Sequence, residues 1–144
     1  MVNDRVDIAL LSGASGVHLG QTDLPPVAAR RILGSARIIG YSTHNLNQAL
    51  VADGLPVDYI AVGPIFATAT KENPDHVVGL DKLAEICRSV KKPVVAIGGI
   101  TLQDAQQVIN AGAYSVAIVR DLLARRSISE GVRTFERALK SATT

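Results

Sequence analysis

Short aliphatic runs recur along the chain and end in glycine or polar residues: Val17–Gly20, Arg37–Tyr41, Tyr59–Gly63, Val94–Gly98 and Tyr114–Val119. Their near-continuous hydrophobicity lacks the alternation of a half-exposed strand and predicts strands covered on both faces, as in a parallel sheet. Between them the apolar spacing becomes helical. Pro25-Pro26 sets φ for a helix start, and Gly34 stops that helix after Leu33. Asn45–Asp53 places Leu46, Ala49 and Leu50 on one face ahead of Gly54. Asp81–Val90 does the same with Leu83, Ile86, Cys87 and Val90. Thr101 and Asp104 have the spacing of a capping box, opening a helix with Ala105, Val108 and Ile109 inward and Gly112 at its close. Ser129–Lys140 carries Val132, Phe135 and Leu139 on one stripe, and Val6–Leu11 forms an opening helix before the first strand.

The result is a repeated βα unit with five predicted strands. Such alternation specifies an α/β fold with a parallel sheet, either doubly wound or a (β/α)8 barrel. Barrels take about 200 to 250 residues. A chain of 144 residues is therefore short of one by about three βα units. No linker or shift of composition divides it, so residues 1–144 read as a single domain.

Composition narrows the function. Hydrophobic residues make up 47 % and charged residues 19 %, the balance of a folded chain rather than a disordered one. Fifteen Lys and Arg against thirteen Asp and Glu leave a net charge of +2, too small and too dispersed to argue for nucleic acid or a membrane surface. One cysteine excludes an internal disulfide framework. No apolar run is long enough to span a bilayer, and no basic-then-apolar leader opens the sequence. The expectation is a soluble, cytoplasmic protein acting on small molecules.

In α/β folds functional groups collect beyond the C-terminal ends of strands. Those positions are polar here: Asn3-Asp4, where a preceding strand would end, then Gly20-Gln21-Thr22-Asp23, Ser42-Thr43-His44, Thr68-Ala69-Thr70-Lys71, Gly98-Gly99-Ile100-Thr101 and Val119-Arg120. Gly98-Gly99 running into a capped helix offers backbone N–H groups to a phosphate, or else makes a tight packing turn. Asp4 and Asp23 on successive strand ends can share Mg²⁺, which takes oxygen ligands and keeps waters and substrate phosphates. Their other reading is as caps of the helices that follow. Lys71 can neutralise a pyrophosphate or be a solvated lysine. His18 reads as a residue packed within a strand and His44 as a helix cap. The histidines lack zinc-site spacing, and Cys87 reads as a buried, inert thiol.

Taken together, Asn3-Asp4-Arg5, Gly20–Asp23, Ser42–His44, Gly63-Pro64-Ile65-Phe66-Ala67-Thr68-Ala69-Thr70-Lys71 and Val95–Ile100 resemble thiamine phosphate synthase, in order and separation, over nearly the whole chain. That resemblance implies a TIM barrel joining hydroxymethylpyrimidine diphosphate to a thiazole phosphate, releasing pyrophosphate. By the same likeness Asp4 and Asp23 hold Mg²⁺, while Asn3, Ser42 and Lys71 contact the pyrimidine diphosphate, with Lys71 and Ser42 nearest the chemistry. Thr68, Ala69, Thr70, Gly99 and the backbone of Val119 and Arg120 hold the thiazole phosphate. The family's path, through a pyrimidine carbocation captured by the thiazole nitrogen, calls for positioning and charge neutralisation rather than a strong base. The resemblance also admits a thiazole tautomerase of the same fold, or a phosphate-binding fragment without turnover.

Two departures stand out. The family's upstream Gln-x-Arg-x-Lys-type segment has no counterpart before Asn3, so the resemblance covers about the last two-thirds of the enzyme. A sheet lacking that portion leaves two open edges, and the expectation is an isolated chain of low stability or a homo-oligomer that covers them. At the last strand many relatives carry Ser where this chain has Arg120. Backbone donation survives that change, and the guanidinium can reach a phosphate or remain a surface charge.

Overall fold

The computed structural model describes residues 1–68 and 76–140. Six parallel strands form one sheet, β1 (Val2–Asn3), β2 (Gly16–Leu19), β3 (Ile38–Thr43), β4 (Tyr59–Val62), β5 (Val94–Ile97) and β6 (Ser115–Ala117), ordered as in the sequence. Helices α1 (Val6–Leu11), α2 (Pro26–Leu33), α3 (Leu46–Asp53), α4 (Gly79–Ser89) and α5 (Leu102–Asn110) fill the crossovers. After β6 come a single turn, α6 (Arg120–Leu123), and α7 (Ile128–Lys140). The fold is an incomplete (β/α) barrel. Five of its strands coincide with the predicted runs, and β1 is the strand whose end Asn3-Asp4 implied. The last run differs: pairing stops at Ala117, and Arg120 opens α6 instead of ending a strand.

Register explains which residues reach the site. Asn3, His18, Gly40 and Tyr59 lie in one row across four strands. Two residues further on, Ser42, Ala61, Val95 and Ser115 form the next row of the same face, and Ile97 pairs with Ala117 beyond them. The alternate residues face the helices. Val17, Leu19 and Ile39 pack with Val6 and Ala9 of α1 and Ala29 and Leu33 of α2. Ile60, Val62, Val94 and Ala96 pack with Ala49, Leu83, Ile86 and Val108 of α3 to α5. Thr43, buried on that side, is satisfied by donating from Oγ1 to the Ala61 carbonyl at 2.9 Å.

The inner face of the sheet is thus covered only in part, where the hydrophobicity of the strands predicts cover on both faces. The inner face of a barrel fills when strands close around it. With six strands it stays open: Ile38 is 43 % and Ile97 36 % exposed. Helix faces differ from expectation at two points. Ala52 takes the buried place in α3 and Leu50 is exposed; on α7 Phe135 is buried while Val132 is exposed. The side chain of Leu139 lies outside the described residues.

The N-terminal ends of the strands are clamped by charge-assisted bonds. The Arg30 guanidinium donates to the carbonyls of Gly34 at 2.9 Å, Arg37 at 2.6 Å and Pro56 at 3.1 Å, and pairs with Asp58 Oδ2 at 2.7 Å. Asp58 in turn accepts the Ile39 N–H at 2.7 Å. This end of the sheet holds packing contacts; the polar strand ends lie opposite.

Candidate active site

The C-terminal strand ends and their loops enclose a cleft of about 880 Å³. Asn3, Asp4, Asp23, Ser42, Thr68, Gly99, Val119 and Arg120 all line it. Ala69, Thr70 and Lys71, expected to contact the two substrates, lie outside the described residues. Where the structure describes the expected site residues, it brings them around one cavity.

Asp4 follows β1 directly with φ 63°, in the left-handed region that aspartate tolerates better than most residues. Its N–H donates to the His18 carbonyl at 2.8 Å, which holds this conformation against β2. Asp23 closes the turn after β2: its Oδ2 accepts the Gly20 N–H at 2.6 Å. Neither is a helix cap, since the residues capping α1 and α2 are Arg5 and Pro25. Gln21 reaches across to donate to the Ser42 carbonyl at 2.5 Å, fixing the neighbouring strand end.

His18 belongs to the cleft as well as to a strand. Its Nε2 lies 2.8 Å from Ser42 Oγ and its Nδ1 2.8 Å from the Tyr59 hydroxyl. A neutral imidazole has one donor and one acceptor nitrogen, so one of these hydroxyls donates to the ring while the other accepts from it. Burial raises the Tyr59 pKa, keeping the phenol protonated at neutral pH. Tyr59 is not among the residues lining the cleft and bears on it through His18. The glycine at position 40, in mid-strand between His18 and Tyr59, is the signal that marks it: a Cβ there would collide with the Tyr59 ring.

His44 does not cap α3. Asn45 does, its Oδ1 accepting the Gln48 N–H at 2.9 Å. The shorter Asn side chain reaches that N–H, while the His44 ring turns to the end of β4 and places Nδ1 2.6 Å from the Gly63 carbonyl. A carbonyl only accepts, so Nδ1 carries the proton. Cys87 is away from the cleft on α4, and burial pushes its thiol up to about 11.

On the other side of the cleft, Gly98 and Gly99 have φ 92° and 68°. A Cβ at Gly99 would lie 2.7 Å from the carbonyl oxygens of Phe66 and Ala67, so the loop after β4 can lie directly on this turn. Asp104 caps α5 by accepting from the Thr101 N–H at 3.0 Å and Oγ1 at 2.6 Å. The Leu102 N–H donates to Asp121 Oδ2 at 2.8 Å. Two N–H groups of this helix start are therefore already taken by carboxylates, and a phosphate here has to use the glycine turn and the segment after β6. Arg120 is exposed at the rim of that segment.

The residues present fit a hard divalent cation. Asp4 and Asp23 are oxygen donors on adjacent strand ends, opening on one cleft. Among the described residues no group of three or more His, Cys, Asp or Glu could hold a metal. A two-carboxylate donor set suits Mg²⁺, which completes its shell with water and phosphate oxygens.

The structure is an incomplete parallel barrel whose cleft has acidic side chains at one rim and a glycine turn at the other. The sequence matches the family described as thiamine monophosphate synthase over residues 1–122, and the chain belongs to that family. It is similar to the thiamine-phosphate synthase of Koribacter versatilis, 53 % identical over 123 residues, which cover 85 % of this chain and 58 % of that protein. The thiamine-phosphate synthase of Chloroflexus aurantiacus is 46 % identical over 143 residues, covering 99 % of this chain and 65 % of the relative. A solved thiamine phosphate pyrophosphorylase from Pyrococcus furiosus superposes with a TM-score of 0.89 at 34 % identity, over 99 % of this chain and 68 % of that one. The chain therefore spans about two-thirds or less of the length of these first two relatives. No helix among the described residues is long and apolar enough to cross a membrane.

Proposed function

We propose that this chain carries out the transfer named for its relatives, joining hydroxymethylpyrimidine diphosphate to a thiazole phosphate to give thiamine phosphate and pyrophosphate. The observation that carries the reading is the gathering of Asn3, Asp4, Asp23, Ser42, Gly99 and Arg120 around one cleft, in a chain of this family. Asp4 and Asp23 hold Mg²⁺, which when bound offsets the charge on the departing pyrophosphate. Asn3 and Ser42 orient the pyrimidine diphosphate, with the His18–Tyr59 pair fixing the Ser42 hydroxyl from below. Lys71 neutralises the diphosphate. Thr68, Ala69 and Thr70, with the backbone of Gly99, Val119 and Arg120, take the thiazole phosphate. The residues bind, align and neutralise; the departing group is already a good one, and the reaction asks for no strong protein base.

The test is thiamine phosphate formation by the purified chain, with Mg²⁺ and with chelator. Product that disappears on chelation is the expected result. Binding of both substrates with no product overturns the reading in favour of a half-site that lacks turnover. Size-exclusion chromatography alongside reports whether the chain is a homo-oligomer, as we propose.

A further inference from the structure

Asp121 is a residue the proposed reaction does not use, yet it lines the cleft. Its Oδ2 accepts the Leu102 N–H at 2.8 Å, bridging from the first turn of α6 to the first turn of α5. The same carboxylate pairs with Arg125, two residues past the end of α6, at 3.2 Å through Oδ2 and 3.4 Å through Oδ1. Arg125 is held in turn by α7. Its guanidinium carbon sits 5.3 Å from the centre of the Phe135 ring, and the buried Gly131 leaves room for its stem, since a Cβ there would lie 2.7 Å from Arg125 Cδ. The chain of contacts runs from α5 through Asp121 and Arg125 to α7.

What it joins is the point. Leu102 lies three residues after Gly99, and Asp121 lies two after Val119. The two backbone segments on which the thiazole phosphate would rest come from different βα units, with a strand pair that ends at Ile97 and Ala117 below them. Above that pair, the Leu102 N–H to Asp121 bond joins the two segments directly. We infer that Asp121 is a positioning residue for the phosphate end of the cleft: its bridge, braced by Arg125, sets the spacing of the Gly98–Gly99 turn against the Val119–Arg120 backbone and so tunes affinity for the thiazole phosphate. This rests on the functional reading above. A carboxylate suits the role because it accepts from a backbone N–H and an arginine at once. The unit of charge it adds near a dianionic ligand is balanced by Arg125.

The experiment compares wild type with Asp121→Ala, Asp121→Asn and Arg125→Met, measuring KM for each substrate, kcat, and the dissociation constant for thiazole phosphate by calorimetry. Asp121→Ala should weaken thiazole phosphate at least tenfold while KM for the pyrimidine diphosphate stays within twofold. Asp121→Asn keeps an oxygen for the Leu102 N–H and should bind within threefold of wild type or tighter. Arg125→Met, which keeps Asp121 but removes its brace, should fall between, and it stands in if Asp121→Ala does not fold. Equal weakening of both substrates, or no change in thiazole phosphate binding, overturns the inference while leaving the transferase reading intact. Asp121-dependent binding of thiazole phosphate by a wild-type chain that forms no product removes the transferase reading and keeps the inference. A wild-type chain that binds no thiazole phosphate overturns both.

Discussion

His18 and Tyr59, on strands separated by β3, stack with ring centroids 5.7 Å apart and share a 2.8 Å hydrogen bond, because residue 40 between them is glycine. The pair forms the floor beneath Ser42. Gly40→Ala should therefore push the Tyr59 ring off His18 and overpack the strand. Chemical denaturation should show a loss of about 1–3 kcal/mol. Fluorescence of Tyr59 in a variant without the other tyrosines should report the changed stacking.

Asp4 and Asp23 carry the proposed metal site, and each has a structural bond through a different atom. The Asp4 N–H donates to the His18 carbonyl, and Asp23 Oδ2 accepts the Gly20 N–H. Asp4→Asn should cut Mg²⁺-dependent binding of the pyrimidine diphosphate at least tenfold. Asp23→Ala should lose the same binding and also some stability, about 1–2 kcal/mol for the orphaned Gly20 N–H. Calorimetry with and without Mg²⁺ separates the two; unchanged binding in both variants would remove the metal assignment.

Two acids have raised pKa values for the same reason, burial. Cys87 moves from 9.0 up to about 11, and Tyr59 rises from 10.0. For each, the folded protein holds its proton at pH values where the unfolded chain has lost it, so stability declines with rising pH in that window. The Cys87 contribution is complete below about pH 9 and is lost as pH rises through about 11. Urea unfolding from pH 8 to 11 should show this alkaline decline, reduced in Cys87→Ala. Native Cys87 should also react far more slowly with a thiol reagent at pH 8 than the urea-unfolded chain does.

Arg30 joins three backbone carbonyls and Asp58 at the end of the sheet away from the cleft. Arg30→Ala should cost about 2–3 kcal/mol by denaturation, chiefly from acceptors left without a donor. Arg30→Lys should recover little of that, because an ammonium cannot match the planar fork. Substrate affinity per folded molecule should be unchanged in both variants.

Much of the fold was legible in residue order because each βα unit carries its own punctuation: Pro25-Pro26 and Gly34 bound α2, and Thr101 with Asp104 opens α5. The strand-end polar residues marked the cleft for the same local reason. What stayed hidden depends on register. Tyr59 reads as one more residue of an aliphatic strand until pairing sets it across Gly40 from His18. His44 reads as a cap until Asn45, one position on, is seen to do that work. Asp121 gave no signal, since its partners at Leu102 and Arg125 meet it only after α6 forms where a strand end was expected.

The sheet order that repeats the order of the chain also bears on how the molecule is made. Every strand pairs with the strand before it in sequence, so each new unit can dock on its predecessor as soon as it leaves the ribosome, without waiting for a distant partner. Short sequence separation between contacts favours rapid folding. In such a sheet each strand's outer edge stays exposed until the next strand in sequence pairs with it.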